Sequence, residues 1–280
     1  MKLNLKPSPG SRCAALVLPL AVLAMCNEAR SAITIQSYWS LGEGPSIGLD
    51  TSSANDGEVN NFSNTTGTVV NTASPSGVNG STAYASTSGA NFQGVWMFGA
   101  GSDPQTVPVD NWGFQFMVRS TNTASISTVG AFRAVYGMLD ASAGGLVIEA
   151  RRHSDGNVYW DVNRSAQANL IIPRNSTTLV TDNEWTHLAL VRNAGTTYFY
   201  VDGAEVGSTS LSIGTTDGRF ALGFQQGVGT NNFIGDFDEA NFFTFGAGEF
   251  NPATDLQAIP EPAAALLGGL GIIAMLRRRR

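Results

Sequence analysis

The chain consists largely of short apolar runs that alternate with polar residues and are separated by Gly, Asn, Asp and Ser. Residues 112–119, 157–162 and 185–192 are examples, and the second of them carries Val158, Trp160 and Val162 on one face. Alternation with a period of two is typical of β-strands, and residues 32–262 lack apolar runs with the 3.6-residue period of a helix. The sequence therefore predicts an all-β domain.

Two features indicate how the strands pair. Asp202 and Gly203 lie between the β-rich residues 197–201 and 204–206, and Asp-Gly favours a two-residue hairpin because both turn positions take positive φ. Residues 185–192 are apolar on both faces, which is typical of a central strand in a sandwich of two sheets. Further strands are predicted at residues 145–150, 220–224 and 233–245.

Residues 1–31 have the order of a secretory signal peptide. Three basic residues precede the apolar residues 13–26, and a small-x-small cleavage site ends at Ser31. Pro19, in the middle of the apolar run, disfavours the alternative of a buried first helix. Cys26 resembles the cysteine of a lipobox, which becomes lipidated, but the residue before that cysteine is normally small and Met25 is not.

Residues 259–280 combine three parts in a fixed order. They are Pro260-Glu261-Pro262, the apolar residues 263–276, and Arg277, Arg278, Arg279 and Arg280. This order resembles the PEP-CTERM sorting signal of bacteria that export extracellular polysaccharide. The resemblance implies transient membrane association and cleavage by an exosortase-type membrane protease. A permanent membrane span is disfavoured, because fourteen helical residues reach about 21 Å across a hydrocarbon core of ~30 Å. The alternative is a terminal helix that ends in arginines.

Removing both ends changes the charge balance. The whole chain has 16 basic and 22 acidic residues, whereas residues 32–262 keep eight arginines, no lysine and 21 acidic residues, a formal charge of −13. Both cysteines also lie outside this segment, so it has no disulfide available. An anionic surface repels nucleic acid and attracts divalent cations. We therefore predict no nucleic-acid partner.

Several short motifs together resemble a known family. They are residues 185–192, residues 198–203, Leu222-Gly223 and residues 235–240, with residues 38–43 as a first strand. In this order and spacing they resemble the concanavalin A-like, laminin G-like jelly rolls. The resemblance implies one sandwich of two antiparallel sheets over residues 32–250, followed by a linker at residues 251–258. Residues 51–101 match no part of that pattern.

The same resemblance implies a structural calcium ion, which in many members of the family ties the first strand to the last. Jelly-roll closure would bring Glu43 and Asp50 close to Asp236 or Asp238. Calcium takes six to eight oxygen ligands, mostly from carboxylates and carbonyls. No contiguous calcium-loop spacing is present, and the alternative that these acids solvate a strand or begin a turn stays open.

The residues give little support to catalysis. His153 and His187 are the only histidines, and residues 32–262 contain neither Cys nor Lys, which excludes a cysteine nucleophile and a Schiff base. We expect His187 to be a strand histidine satisfied by its neighbours and His153 to lie at a hairpin turn. Glycosidases of the resembled family place their acids along one strand as Glu-x-Asp-x-x-Glu, a pattern absent here. We therefore predict no catalytic residues and no enzyme.

A binding role follows from export together with the resemblance. Sugar rings stack on aromatic faces and form hydrogen bonds with Asn and Asp. The candidate ligand residues are Trp96, Tyr159, Trp160, Asn231 and Asn232, although each could instead belong to the core. We predict a protein of the cell surface or extracellular matrix of a Gram-negative-type bacterium that binds polysaccharide or a matrix protein. The alternatives are a structural matrix protein without a specific ligand and a glycoside-active enzyme.

Overall fold

A computed structural model describes residues 33–39, 70–73, 83–89, 95–97, 108–138, 146–164, 167–172, 176–210, 220–223 and 231–256. The predicted signal peptide with Cys26, the sorting signal at residues 259–280, and the predicted calcium ligands Glu43 and Asp50 lie outside these residues. Within them, no helix is long and apolar enough to cross a membrane.

The described residues form β-strands with few helical turns. The strands are β1 (Ile33–Trp39), β2 (Val70–Ala73), β3 (Ala83–Ser88), β4 (Val95–Met97), β5 (Trp112–Ser120), β6 (Phe132–Met138), β7 (Leu146–Arg152), β8 (Val158–Arg164), β9 (Gln167–Ile172), β10 (Trp185–Asn193), β11 (Thr196–Val201), β12 (Ala204–Thr209), β13 (Phe220–Leu222) and β14 (Ile234–Phe245). The helical elements are α1 (Pro252–Asp255) and single 3₁₀ turns at Thr123–Ser125 and Ser176–Thr178. The prediction of an all-β domain is thus confirmed for this part of the chain.

The strands form two antiparallel sheets. In the described residues one sheet has eight strands in the order β12-β11-β10-β5-β14-β3-β2, with β1 also paired to β14. The other sheet has six strands in the order β4-β13-β6-β7-β8-β9. The first strand therefore lies beside the last, as a closed jelly roll requires, and non-consecutive neighbours show that the chain crosses repeatedly between the sheets.

Aromatic side chains fill the space between the two sheets. Phe114 and Phe116 of β5 point inward and pack against Tyr136 of β6, with ring centroids 4.8 and 6.0 Å from that of Tyr136. Trp160 of β8 lies 6.1 Å from Phe233, and all five rings are less than 2% exposed. Full burial of each such side chain contributes about 2–3 kcal/mol, so this layer contributes substantially to stability.

The predicted Asp-Gly hairpin and the predicted central strand are both confirmed. Asp202 and Gly203 have φ values of 50° and 76°, so the turn between β11 and β12 has positive φ at both central positions. Strand β10 lies between β11 and β5 and is buried on both faces, because Leu188 and Leu190 face the other sheet while Ala189 and Val191 join a second apolar cluster.

That second cluster lies on the outer face of the eight-stranded sheet. Residues 246–256, which we call the C-terminal strap, turn back after β14 and place Phe250 and Leu256 against Phe243 and Phe245. Asn251 caps α1, since its side chain accepts a hydrogen bond from the backbone N–H of Ala253 at 3.1 Å. The packed structure thus continues to Leu256, into the segment predicted to be a linker.

A chain of polar contacts joins the strap to three strands. His187 of β10 donates from Nε2 to Oε1 of Gln115 on β5 over 2.9 Å. The amide nitrogen of Gln115 then donates to Oδ1 of Asn241 on β14 at 3.1 Å and to the backbone oxygen of Asp255 at 3.4 Å. Burial lowers the pKa of His187 to about 4, although the charge of Asp202 opposes the shift. The expectation of a satisfied strand histidine is confirmed.

The lowered pKa of His187 makes the folded domain less stable at acidic pH. The unfolded chain protonates His187 near pH 6.5 and the folded chain only near pH 4, so stability is lost as the pH falls through that interval. We expect the free energy of unfolding to drop by roughly 2 to 3 kcal/mol between pH 7.5 and pH 4.5 from this group. Urea unfolding of wild type and His187→Gln at both pH values measures it. An equal drop in the two proteins would contradict the assignment.

Candidate functional site

Four partly exposed side chains form a line across the outer face of the six-stranded sheet. Phe132 pairs with Arg151, Arg151 pairs with Tyr159, and Tyr159 forms an isolated bridge with Leu179. Paired residues of antiparallel strands share a face, so these side chains lie side by side, and the Arg151 guanidinium covers the Phe132 ring at 4.8 Å. Leu179 is 47% exposed. We call Phe132, Arg151, Tyr159 and Leu179 the cross-strand row.

A charged network lies beside the cross-strand row. It is centred on the next pair of residues on the same face of strands β7 and β8, two residues along each strand. Glu149 and Asp161 face each other across β7 and β8 and are 2% and 1% exposed. Arg151 donates from Nε to Oε1 of Glu149 at 2.5 Å and lies 3.9 Å from Oδ2 of Asp161. His153 contacts that same oxygen of Asp161 from Nε2 at 2.6 Å, and Asn163 donates to Glu149 at 3.4 Å.

Burial changes the electrostatics of Glu149. Desolvation raises the pKa of Glu149, and the hydrogen bond and charge of Arg151 together with the amide of Asn163 oppose that shift. Asp161 raises the pKa of Glu149 further, because two like charges are close together. A buried pair of acids is tolerated here because one arginine and one histidine contact it.

Three arginines hold the loop that borders the row. This loop, residues 121–131, connects β5 to β6. Arg133, Arg151 and Arg152 donate hydrogen bonds to backbone oxygens of the loop, and Arg152 also donates to the β7–β8 turn. The acceptors are Ser125 for Arg133, Gly130 for Arg151, and Thr123, Ile126 and Gly156 for Arg152. Asp182 binds the same loop from the other side, accepting from the backbone N–H and hydroxyl of Thr123. These contacts hold the loop in position along one side of the cross-strand row.

The predicted ligand residues do not come together. Tyr159 lies in the cross-strand row and Trp96 in the edge strand β4. Trp160, the next residue after Tyr159, points inward and is 1% exposed, and Asn232 is 0% exposed. Burial removes both from the candidate ligand residues, because alternation along β8 sends Trp160 into the core. Asn231 is partly exposed with φ 68° and accepts a hydrogen bond from β6 through its backbone oxygen.

The predicted calcium ligands in β14 are both buried. Oδ2 of Asp236 accepts from Nε of Arg119 at 2.8 Å and lies 2.7 Å from Nη2. Asp238 is 0% exposed and accepts from the backbone N–H of the next residue, Glu239, at 2.9 Å. In the described part of the chain, no group of three His, Cys, Asp or Glu side chains could hold a metal ion. Calcium therefore stays a prediction.

Sequence reasoning missed the charged network for a geometric reason. The Glu-x-Asp-x-x-Glu pattern places its acids along one strand, whereas Glu149 and Asp161 come from two strands and meet only through their pairing. His153 was expected at a hairpin turn, and it does begin the turn between β7 and β8, but its contact with Asp161 was not foreseen. The hairpin turn at residues 153–157 is the sequence signal that could have predicted this pairing, because it sets the register in which Glu149 lies opposite Asp161.

The fold is a two-sheet β-sandwich of the jelly-roll class. The sequence model of the concanavalin A-like lectin/glucanases superfamily matches residues 102–245, just over half of the chain. The protein therefore belongs to that superfamily, and the predicted resemblance is confirmed at this level. None of the curated proteins matches the sequence.

Solved structures share the fold at low sequence identity. Domain 4 of AbnA, a GH43 extracellular arabinanase from Geobacillus stearothermophilus in complex with arabinotriose, has a TM-score of 0.52 and 17% identity, and the match covers 80% of this chain and 97% of that chain. Trypanosoma rangeli sialidase in complex with the inhibitor DANA has a TM-score of 0.49 and 12% identity over 79% and 32% of the two chains. A GH54 α-L-arabinofuranosidase mutant has a TM-score of 0.45 and 14% identity over 64% and 40%.

These findings contradict the prediction that the protein is not an enzyme. The superfamily to which it belongs is described by lectins and glucanases together, and so includes enzymes. The prediction depended on the absence of one motif along one strand. Because the fold brings acids together from paired strands, the absence of that motif excludes nothing.

Proposed function

We propose that the protein is exported and binds carbohydrate through the cross-strand row. The observation that carries this proposal is the row itself, in which an aromatic ring, a guanidinium group and an apolar side chain stand at one register on a rigid sheet. Sugar rings present apolar C–H faces and hydroxyl edges, which suit ring stacking and charge-assisted donors respectively. The hairpin residues Asp155 and Asn157 add polar groups beside Tyr159, whose hydroxyl donates to Asp155 at 2.7 Å.

Family membership supports a carbohydrate over other ligands, since the superfamily is described by lectins and glucanases. The arabinanase domain that resembles this chain was solved with arabinotriose, and an arabinose-containing glycan is accordingly one probe to include. The competing function is that of a structural matrix protein without a specific ligand, whose anionic surface associates with the polymer through shared cations.

Export and sorting are proposed from the two ends of the sequence. A signal peptide at residues 1–31 would direct the chain across the inner membrane. The Pro260-Glu261-Pro262 motif, the apolar residues 263–276 and the terminal arginines would hold the precursor in that membrane until an exosortase-type protease cleaves it. The mature protein would then reside on the surface or in the matrix of a Gram-negative-type bacterium.

A structural calcium ion between the first and last strands is proposed as well. Strand β1 ends at Trp39, which pairs with Ala240 of β14, so the chain leaves β1 close to Asp238 and Glu239. Both side chains are buried, at 0% and 4% exposure, and Glu239 has the unusual φ of 52° at a bulge in β14. Glu239, absent from the predicted ligand set, thereby becomes a further candidate beside Asp238.

Carbohydrate binding is tested by two substitutions of one residue. Tyr159→Ala removes the ring and should weaken binding to the best glycan of an array by about tenfold, whereas Tyr159→Phe keeps the ring and should bind within a few-fold of wild type. Isothermal titration measures both. Equal binding by all three proteins would show that the cross-strand row is not the binding site. If wild type binds no glycan, the result would favour the structural role. Reducing-sugar release, assayed in parallel, detects hydrolysis.

Calcium is tested by thermal melting. At 10 mM calcium we expect the Tm of wild type to rise by roughly 3–8 °C, because extracellular calcium modules bind with Kd values of about 10⁻⁴ to 10⁻³ M. Asp238→Asn should lose most of that rise, whereas Glu205→Gln, an exposed carboxylate of the edge strand β12, should keep it. An unchanged Tm of wild type would refute the site.

Sorting is tested in the native host. Replacing Pro260, Glu261 and Pro262 by alanine should leave an unprocessed precursor in the membrane, because the protease would no longer recognise its site. Pro252→Ala, at the start of α1, serves as the control and should be released normally. Mass spectrometry of the released protein reports both mature ends, and normal release of the triple variant would rule out the motif.

A further inference from the structure

One nitrogen of the cross-strand row is a charged donor that the described part of the chain leaves without an acceptor. In Arg151, Nε donates to Oε1 of Glu149 at 2.5 Å and Nη1 to the backbone oxygen of Gly130 at 2.9 Å. Among the described residues no acceptor lies within hydrogen-bond distance of Nη2, and solvent reaches this nitrogen. We infer that Nη2 binds a carboxylate of the ligand, so that the row takes polysaccharides containing uronic acids. The inference rests on the proposed carbohydrate function and names its ligand class.

Three contacts fix the plane of the Arg151 guanidinium. Glu149, whose side chain is 2% exposed, holds Nε from one side. The loop oxygen of Gly130 holds Nη1, and the Phe132 ring lies against the guanidinium at 4.8 Å. The free N–H groups of Nη2 are therefore already oriented, which lowers the entropy cost of binding. A carboxylate and a guanidinium are both ionised, so their hydrogen bond is stronger than the one that a neutral sugar hydroxyl forms with the same nitrogen.

The charges around the row do not oppose such an anion. Arg133 and Arg152 each follow a member of the row in sequence, and their hydrogen bonds within the described part of the chain go to backbone oxygens. Their guanidinium groups therefore keep their positive charge. Three guanidinium groups thus balance the three nearby carboxyl groups, which belong to Glu149, Asp155 and Asp161. A ligand carboxylate at the row enters surroundings that are locally balanced in charge.

The three carboxyl groups also have donors of their own. Oε1 of Glu149 accepts from the arginine of the row. Asp161 contacts Nε2 of His153 at 2.6 Å, and Asp155 accepts from the Tyr159 hydroxyl at 2.7 Å. Because these contacts hold the acids in place, Nη2 stays available to a carboxylate from outside.

The net charge of the domain acts mainly at long range. Residues 32–262 carry a formal charge of −13, but salt screens exposed charges over about 8 Å at physiological ionic strength. The contact at Nη2 is direct and is screened much less. The formal charge therefore slows the approach of an acidic chain more than it weakens the bound complex.

The pairing of the strands sets where the acidic sugar lies. Tyr159 faces Arg151 directly across β7 and β8, one strand spacing of about 4.8 Å away. A sugar ring that packs on the Tyr159 side chain therefore brings a substituent at its edge within reach of Nη2. The C6 carboxylate of a hexuronic acid is such a substituent, because it projects from the edge of the ring rather than from its apolar face.

The experiment compares acidic oligosaccharides with neutral counterparts of equal length and linkage that carry a hydroxymethyl group in place of the C6 carboxylate. The pairs are glucuronan with β-1,4-linked glucan, mannuronan with β-1,4-linked mannan, and galacturonan with α-1,4-linked galactan. Titration at about 150 mM salt without added divalent cations should favour the acidic member of any pair that binds by about tenfold. A neutral member that binds as tightly as its acidic counterpart would overturn the inference and leave the carbohydrate function standing.

A double substitution tests Arg151 without changing the net charge. Arg151→Gln combined with Glu149→Gln removes one charge of each sign and leaves neither partner buried and unpaired. The ratio of acidic to neutral affinity should fall to within about twofold of one. Glu149→Gln alone should act in the opposite direction and raise the ratio several-fold, because it removes the carboxylate that offsets Arg151. Glu205→Gln removes the same charge from the exposed strand β12 and should leave the ratio unchanged.

The outcomes separate this inference from the function on which it rests. A preference for acidic probes that survives the double substitution would overturn binding at Arg151. A rise in Glu205→Gln as large as in Glu149→Gln would do the same, because it would assign the preference to net charge. If the double variant does not fold, the two single variants decide. Binding only of array glycans without carboxylates would also overturn the inference, whereas no binding of any probe or array glycan would refute the carbohydrate function.

Discussion

The pairing of β14 with three other strands holds the domain together. Along one edge it pairs with β5 over nearly its whole length, and along the other it pairs first with β3 and then with β1. Phe237 and Phe242 point into the space between the sheets, while Phe243 and Phe245 anchor the strap on the outside. Because this one strand has apolar side chains on both faces, it connects the inner core to the outer cluster.

The candidate site depends on the register of β7 and β8 in the six-stranded sheet. A shift of β8 by one residue relative to β7 would move Tyr159 and Asp161 to the inner face and bring Trp160 out. Burial of Trp160, which is 1% exposed, stabilises the observed alignment together with its neighbours Val158 and Val162. The residue predicted from sequence to bind a ligand therefore acts from the core, by positioning its neighbours on either side.

The strongest local signals were sufficient to predict much of this architecture. The Asp202-Gly203 turn and the doubly apolar β10 were recognised because their information lies within a few residues. Strand β6 was not predicted, since Gly137 and Arg133 interrupt its apolar pattern. The pairing of Glu149 with Asp161 and the Gln115 chain depend on contacts between distant segments, and no single sequence window contains both partners. The charge of −13 was available from composition alone, but the position of Glu149 and Asp161 beside Arg151 required the fold.

The strap has a mechanical consequence. Leu256, the last described residue, packs on the outer face of the eight-stranded sheet, on the opposite side of the sandwich from the cross-strand row. A pull on the chain beyond this point loads Leu256 and Phe250 first, and peeling the strap away breaks its contacts one after another rather than together. The row lies off that line of force, so tension on the C-terminal end would be absorbed before it reached the strands that carry Arg151 and Tyr159.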